Sequence, residues 1–149
     1  MKTQVENDYV TIFGRILNKY SPVSPSTIAT VVDGGSLQSF KKNQVIFAEK
    51  KFNAFEYFQL EGISHRYNID EENESVTTGV YIGEEVITPH FARTINSQSI
   101  FSLQALTDCT YIKIPIGAFD EFRFTMEPLR AFGQRVVEQE FIRSLNHEV

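Results

Sequence analysis

The stretch Phe55-Glu56-Tyr57-Phe58-Gln59-Leu60-Glu61-Gly62-Ile63-Ser64-His65-Arg66-Tyr67-Asn68-Ile69 decides the fold. Two runs rich in aromatic and β-branched residues, FEYFQLE and ISHRYNI, meet at a single glycine, which is the pattern of two short strands joined tightly. Working outward, LQSF, QVIFAE, SVTTGVYI, SIFSLQAL and TYIKI repeat that composition between polar turns. Seven short strands in about 80 residues, Ser36 to Ile116, predict a compact all-β roll or barrel. The acidic run Asp70-Glu71-Glu72-Asn73-Glu74 reads as a solvated hairpin tip, since the glycine a calcium loop needs at its sixth position is missing.

The flanks follow a different period. Val5, Tyr9, Ile12, Phe13, Ile16 and Leu17 recur at spacings of three and four, which predicts an amphipathic helix over residues 5–19. Ser21 to Pro25 breaks it; Ser24 followed by Pro25 then supplies an N-cap and a first-turn proline for a short helix through about Val32, ended by Gly34-Gly35. After Pro115 a short helix is predicted over residues 118–122. A longer one follows from Met126 to about His147, with Leu129, Phe132, Val136, Val137, Phe141 and Leu145 along one side. That stripe can pack on the chain's own strands, form a dimer seam, or do both. The fold class read here is mainly β with flanking helices: a β-roll, or double-stranded β-helix of jelly-roll type, with N-terminal helices and a long C-terminal helix. One domain covers 1–149, as N-terminal helices (1–35), β-roll (36–116) and C-terminal helices (117–149).

Composition narrows the function classes. The 149 residues include 13 Phe and 6 Tyr, too apolar a set for a disordered chain. The formal charge of −5 gives no general attraction to nucleic acid or anionic membranes. One cysteine, Cys109, excludes an intrachain disulfide framework and a cysteine-rich metal site, and a reducing cytoplasm is the expected home. The N-terminus is polar where a signal peptide needs an apolar run, and no stretch reaches membrane-spanning length.

The search for catalytic chemistry is thin. There is no nucleophile elbow, no phosphate-binding P-loop and no paired metal-binding histidines; His65, His90 and His147 are far apart in the sequence. Neither catalytic nor metal-ligating residues are assigned, and a cupin-type metal enzyme ranks last among the readings. Cys109 reads as a buried small hydrophobe. The richer stretch is Tyr81-Ile82-Gly83-Glu84-Glu85-Val86-Ile87-Thr88-Pro89, which leaves a strand through a glycine toward a segment able to open a helix. Exposed amides at such a start attract anions, and Arg93-Thr94 shortly afterwards can add a guanidinium and a hydroxyl. An ordinary strand-to-turn glycine with Arg93 on the surface remains the competing reading.

The order of these elements resembles the cyclic-nucleotide-binding domain of the Crp/Fnr family of bacterial regulators, in particular its divergent Bacteroidetes-type members. Phe40-Lys41-Lys42-Asn43-Gln44-Val45-Ile46-Phe47 is similar to the family's opening hairpin, with Asn43 at the usual turn glycine. Tyr57 to Ile63 resembles the strand ending in glycine. Gly83-Glu84 resembles the start of the phosphate-binding cassette, and Ser99 to Cys109 the strand that closes it. Lys50-Lys51 departs from the Gly-Asp turn of many members. The resemblance implies that Glu84 holds a ribose hydroxyl while an arginine and a following Ser/Thr hold the cyclic phosphate. Counting forward from Gly83 points to Arg93-Thr94 for that pair; counting back from Ala105 puts Ser99 at the arginine position. Candidate ligand-binding residues are therefore Gly83, Glu84, Glu85, Arg93, Thr94 and Ser99.

The function so implied is that of a non-enzymatic sensor domain. It would bind a cyclic nucleotide such as cAMP, or another small anion, in the 83–99 cassette, and form a homodimer through residues 126–147. The family's DNA-reading helix-turn-helix would follow Val149, so this chain is expected not to bind nucleic acid itself. The alternatives are a degenerate, ligand-free interaction domain whose pocket is filled by Phe or Tyr, and the sensor fragment of a longer transcription regulator.

Overall fold

The computed structural model describes residues 4–87 and 98–147. Helix α1 (Gln4–Asn18) and helix α2 (Pro25–Asp33) lead into β1 (Ser36–Phe40), β2 (Val45–Phe47), β3 (Phe55–Glu61), β4 (Ile63–Ile69), β5 (Ser75–Ile82), β6 (Glu85–Ile87), β7 (Ser102–Ala105) and β8 (Cys109–Pro115), and helices α3 (Ile116–Thr125) and α4 (Glu127–His147) close the chain. The strands form two antiparallel four-stranded sheets, ordered β1-β8-β3-β6 and β2-β7-β4-β5. This is the mainly-β roll with flanking helices that the strand pattern predicts.

Alternation along β3 explains the layering. Tyr57 and Gln59 point between the sheets, whereas Phe58 and Leu60 point to the other side of their sheet, toward the helices. The first sheet is therefore covered on both faces of β3, which is buried without a break from Glu56 to Leu60. Inside the roll lie Phe40, Tyr57, Tyr81, Ile87, Phe101, Leu103, Ala105, Cys109 and Tyr111. On the outer face Phe58 meets Phe13 of α1 edge-on at 5.0 Å, and packs with Phe119 of α3 and Phe132 of α4 at 5.7 and 6.2 Å between ring centroids. The second sheet covers one face only, leaving Val76, Val80 and Ile82 of β5 exposed.

Local signals act where they were read. Ser24 caps α2, its hydroxyl accepting from the Thr27 amide at 3.3 Å, with Pro25 in the first turn. The tip Asp70–Glu74 closes the β4–β5 hairpin, and the Asp70 carboxylate accepts from the Glu72 and Glu74 amides. Asn43 takes a left-handed turn with φ 74°. Two expectations need correcting. Eight strands are present among the described residues where seven were expected. The additional one, β6, begins two residues after Gly83, where the sequence suggested the opening of a helix. The extended form prevails because Val86 reaches the helix-side core and Ile87 the roll interior while the strand pairs with Tyr57–Gln59, a gain that local propensity cannot anticipate.

The stripe on α4 divides. Leu129, Phe132 and Val136 are buried on the chain's own roll, whereas Val137, Phe141 and Leu145 are exposed together with Ile142.

Candidate ligand-binding site

Three of the six candidate residues lie together at the β5–β6 turn. Gly83 adopts φ +70°, and its amide donates to the Gly62 carbonyl at 2.9 Å. The next residue, Glu84, is engaged by α1: Arg15 donates to both carboxylate oxygens, Nε to Oε1 at 3.1 Å and Nη2 to Oε2 at 2.6 Å, and Lys19 Nζ donates to the Glu84 carbonyl at 3.3 Å. The hydrogen bond from Arg15 holds the Glu84 carboxyl below the usual carboxylate range. Glu85 sits half-buried on β6, 3.9 Å from Arg143 of α4. Burial pushes its carboxyl up, outweighing the attraction of Arg143 and Lys19.

Ser99 is placed elsewhere, against the connection between β2 and β3. Its hydroxyl accepts from Asn53 Nδ2 at 3.0 Å, its amide donates to Lys51 and its carbonyl accepts from Lys50. Arg93 and Thr94 lie outside the described residues, as does His90. His65 bridges Thr77 and Gln104 and stacks on Tyr67. Cys109 is buried, with its thiol pushed up by burial. Among the described residues no group of three His, Cys, Asp or Glu side chains is placed to hold a metal ion, and no helix is long and apolar enough to cross a membrane.

Two interior polar centres escaped the sequence reading. The first is Gln59, fully buried between the sheets. Its amide nitrogen donates to the carbonyls of Gly62 (3.1 Å), Tyr81 (3.2 Å) and Gly83 (2.9 Å), while its oxygen accepts from Ser64 Oγ and Tyr111 Oη, both at 2.6 Å. Gln59 thereby fixes the β5–β6 turn from inside the roll. A glutamine within FEYFQLE was its only signal.

The second is Arg66 of β4. Its guanidinium lies 5.5 Å from the Phe101 ring centroid, and Nη1 is 3.3 Å from the Tyr81 hydroxyl and 3.4 Å from Glu140 Oε1 on α4. Tyr81 stays a neutral phenol, its pKa pushed up to about 12 chiefly by burial. The two rings beside Arg66, Tyr81 and Phe101, lie two residues before Gly83 and two residues after Ser99 in the sequence. Period-2 alternation with Ser64 was the available clue, because it puts Arg66 on the inward face of β4.

Chemically the arrangement is a cation with a flat aromatic neighbour and a hydroxyl, a combination suited to an anion attached to a ring. No family model matches the sequence, and no curated relative matches it. Solved structures do match in fold. A cyclic nucleotide-binding domain from Methylobacillus flagellatus superposes with a TM-score of 0.81 at 11% identity, over 95% of this chain and 81% of that one. The sensor domain of the transcriptional regulator DNR from Pseudomonas aeruginosa gives a TM-score of 0.78 at 12% identity, over 97% and 95% of the two chains. A structure described as cAMP-bound PfPKA-R gives 0.66 at 18% identity, over 81% of this chain and 43% of that one. Two stacked four-stranded sheets, an α1–α2 lead-in and the α3–α4 close are thus shared nearly end to end with sensor domains, and this chain has the fold of the cyclic-nucleotide-binding domain found in regulators of the Crp/Fnr type.

Proposed function

We propose that this chain is a cytoplasmic sensor domain that binds a small organic anion, with a cyclic nucleotide such as cAMP as the first candidate, between the 83–99 segment and the mouth of the roll. Arg66 carries this reading. It brings a guanidinium to the inner face of β4 beside Tyr81 and Phe101, where an anionic group can be received with a ring against it. The fold neighbours, among them a cAMP-bound domain, support the same ligand class. In this scheme Gly83 shapes the turn, Arg93 and Thr94 add to the anion site, and Glu84 reaches a ligand hydroxyl only after leaving Arg15. Glu85 and Ser99 serve as supports, through Arg143 and Asn53 respectively. The exposed apolar second half of α4 is the proposed homodimer seam within residues 126–147, and light scattering that reports a monomer at micromolar concentration removes it.

Calorimetry with cAMP and cGMP tests the ligand. Heat that disappears in Arg66→Gln is the expected result, and no heat at millimolar ligand rejects the nucleotide. A second reading, a ligand-free interaction domain, draws on the aromatic filling of the roll: Phe40, Tyr57, Tyr81, Phe101 and Tyr111 are all buried there. It predicts that neither nucleotide changes the melting temperature.

A further inference from the structure

Arg66 occupies a lane built for it. Its register partner on β5 is Gly79, and a methyl group there would come within 2.7 Å of Arg66 Nε, 3.3 Å of Cγ and 3.4 Å of Cδ. A glycine in the middle of a strand weakens it relative to alanine, and the absent methyl leaves the space that the Arg66 stem occupies. The register shift between Arg66 and Tyr67 falls at the same point, where a bulge re-aims side chains.

At the end of that lane the guanidinium meets a carboxylate from the last third of the chain. The Arg66 and Glu140 side chains are only 17% and 12% exposed, yet their contact is 3.4 Å, and the second cation, Arg143, stands 3.8 Å from the same Glu140 oxygen. Both separations exceed the roughly 2.7–2.9 Å of a good charge-assisted hydrogen bond. The other oxygen, Glu140 Oε2, is buried with no hydrogen-bond partner among the described residues. Glu140 has therefore lost its water without full compensation, the condition in which a buried ion pair contributes little net stability. Beyond Val136 the apolar residues Phe141, Ile142 and Leu145 face outward. Among the described residues, the pairs Glu140–Arg66 and Arg143–Glu85 link this half of α4 to β4 and β6, with Arg143 and Glu140 also facing each other along the helix.

We infer that Glu140 is a built-in competitor for Arg66. Its carboxylate takes the place of the ligand's anionic group, and a small organic phosphate binds by displacing it, which frees α4 beyond Val136. This rests on the reading of Arg66 as the ligand-receiving cation. The site then selects for charge, because a neutral molecule offers the guanidinium nothing in exchange for Glu140.

The test combines hydrogen–deuterium exchange over residues 137–147 with calorimetry against cAMP and cGMP, for the wild type, Glu140→Gln and Arg66→Gln, each first shown to melt cooperatively. Without ligand, both variants should exchange at least about tenfold faster than wild type in 137–147, because removing one partner leaves the other's charge buried and unpaired even though the intact pair contributes little. Nucleotide should accelerate exchange there in the wild type. Glu140→Gln should bind nucleotide about tenfold more tightly, and Arg66→Gln should lose binding. Wild-type binding with neither readout altered in Glu140→Gln overturns the competition and leaves the sensor reading standing. Absence of heat from wild type and Glu140→Gln alike overturns both.

Discussion

Replacing Gln59 by methionine keeps the volume and removes the amide, so the consequence can be worked out bond by bond. Gln59 donates to three carbonyls, of which Gly62 retains the Gly83 amide at 2.9 Å, whereas the Gly83 carbonyl has the Gln59 amide as its donor. On the acceptor side, Ser64 and Tyr111 lose their shared oxygen but remain 2.9 Å from each other, so one hydroxyl hydrogen keeps a partner and one does not. One buried hydroxyl and the part-buried Gly83 carbonyl are left unpaired, at about 1–3 kcal/mol each, and relief from burying the amide offsets a part. A net loss of about 3 kcal/mol follows, equivalent to a melting temperature about 6–12 °C lower for a chain near 150 residues. Thermal and urea melts followed by circular dichroism give the number. The pair Gln59→Met/Tyr111→Phe should lose less than the two single changes added together, since it removes both ends of one bond. A shift under about 2 °C for Gln59→Met, or strict additivity of the pair, refutes the hub.

Other positions give sharper yes-or-no results. Gly62→Ala places a methyl 2.6 Å from both the Asp108 carbonyl oxygen and Cys109 Sγ at φ +102°, so a loss of about 3 kcal/mol or more in urea melts is expected. Lys50→Gly should stabilise by about 1 kcal/mol, because Lys50 sits at φ 66°, a left-handed position costly for a side chain; a lower urea midpoint contradicts this. Glu85→Gln should raise the melting temperature at pH 7. The folded chain holds the Glu85 carboxyl above its ordinary 4.5, so its charge penalises the folded state at neutral pH. The advantage of the glutamine should shrink as pH falls through the raised folded-state pKa toward 4.5 and be gone below it, where both states are protonated; a pH-independent difference argues against burial as the cause.

Glu84 shows how far sequence reading reaches into the site. Its place after a glycine at a strand end was legible, whereas the left-handed φ of that glycine was seen only in the structure. The partner of Glu84 was not legible: Arg15 lies 69 positions away on α1 and is brought across by packing of Phe13, Ile16 and Leu17 on the roll. Arg66 was equally hidden, since a single cation in a strand looks solvent-facing until Gly79 and Glu140 are placed around it.

The sequence alone determined the flanking helices, seven of the eight described strands, the roll and its family resemblance, the α2 cap, the left-handed Asn43 and the buried thiol, because periodicity, turn chemistry and capping act over a few residues. The tertiary structure decided that the segment after Gly83 is a strand, that the α4 stripe is half buried and half exposed, and that Gln59 and Arg66 are the interior polar centres. Those outcomes depend on which distant groups share a dry space, where an unpaired polar group is costly and a partner 74 positions away sets what Arg66 does.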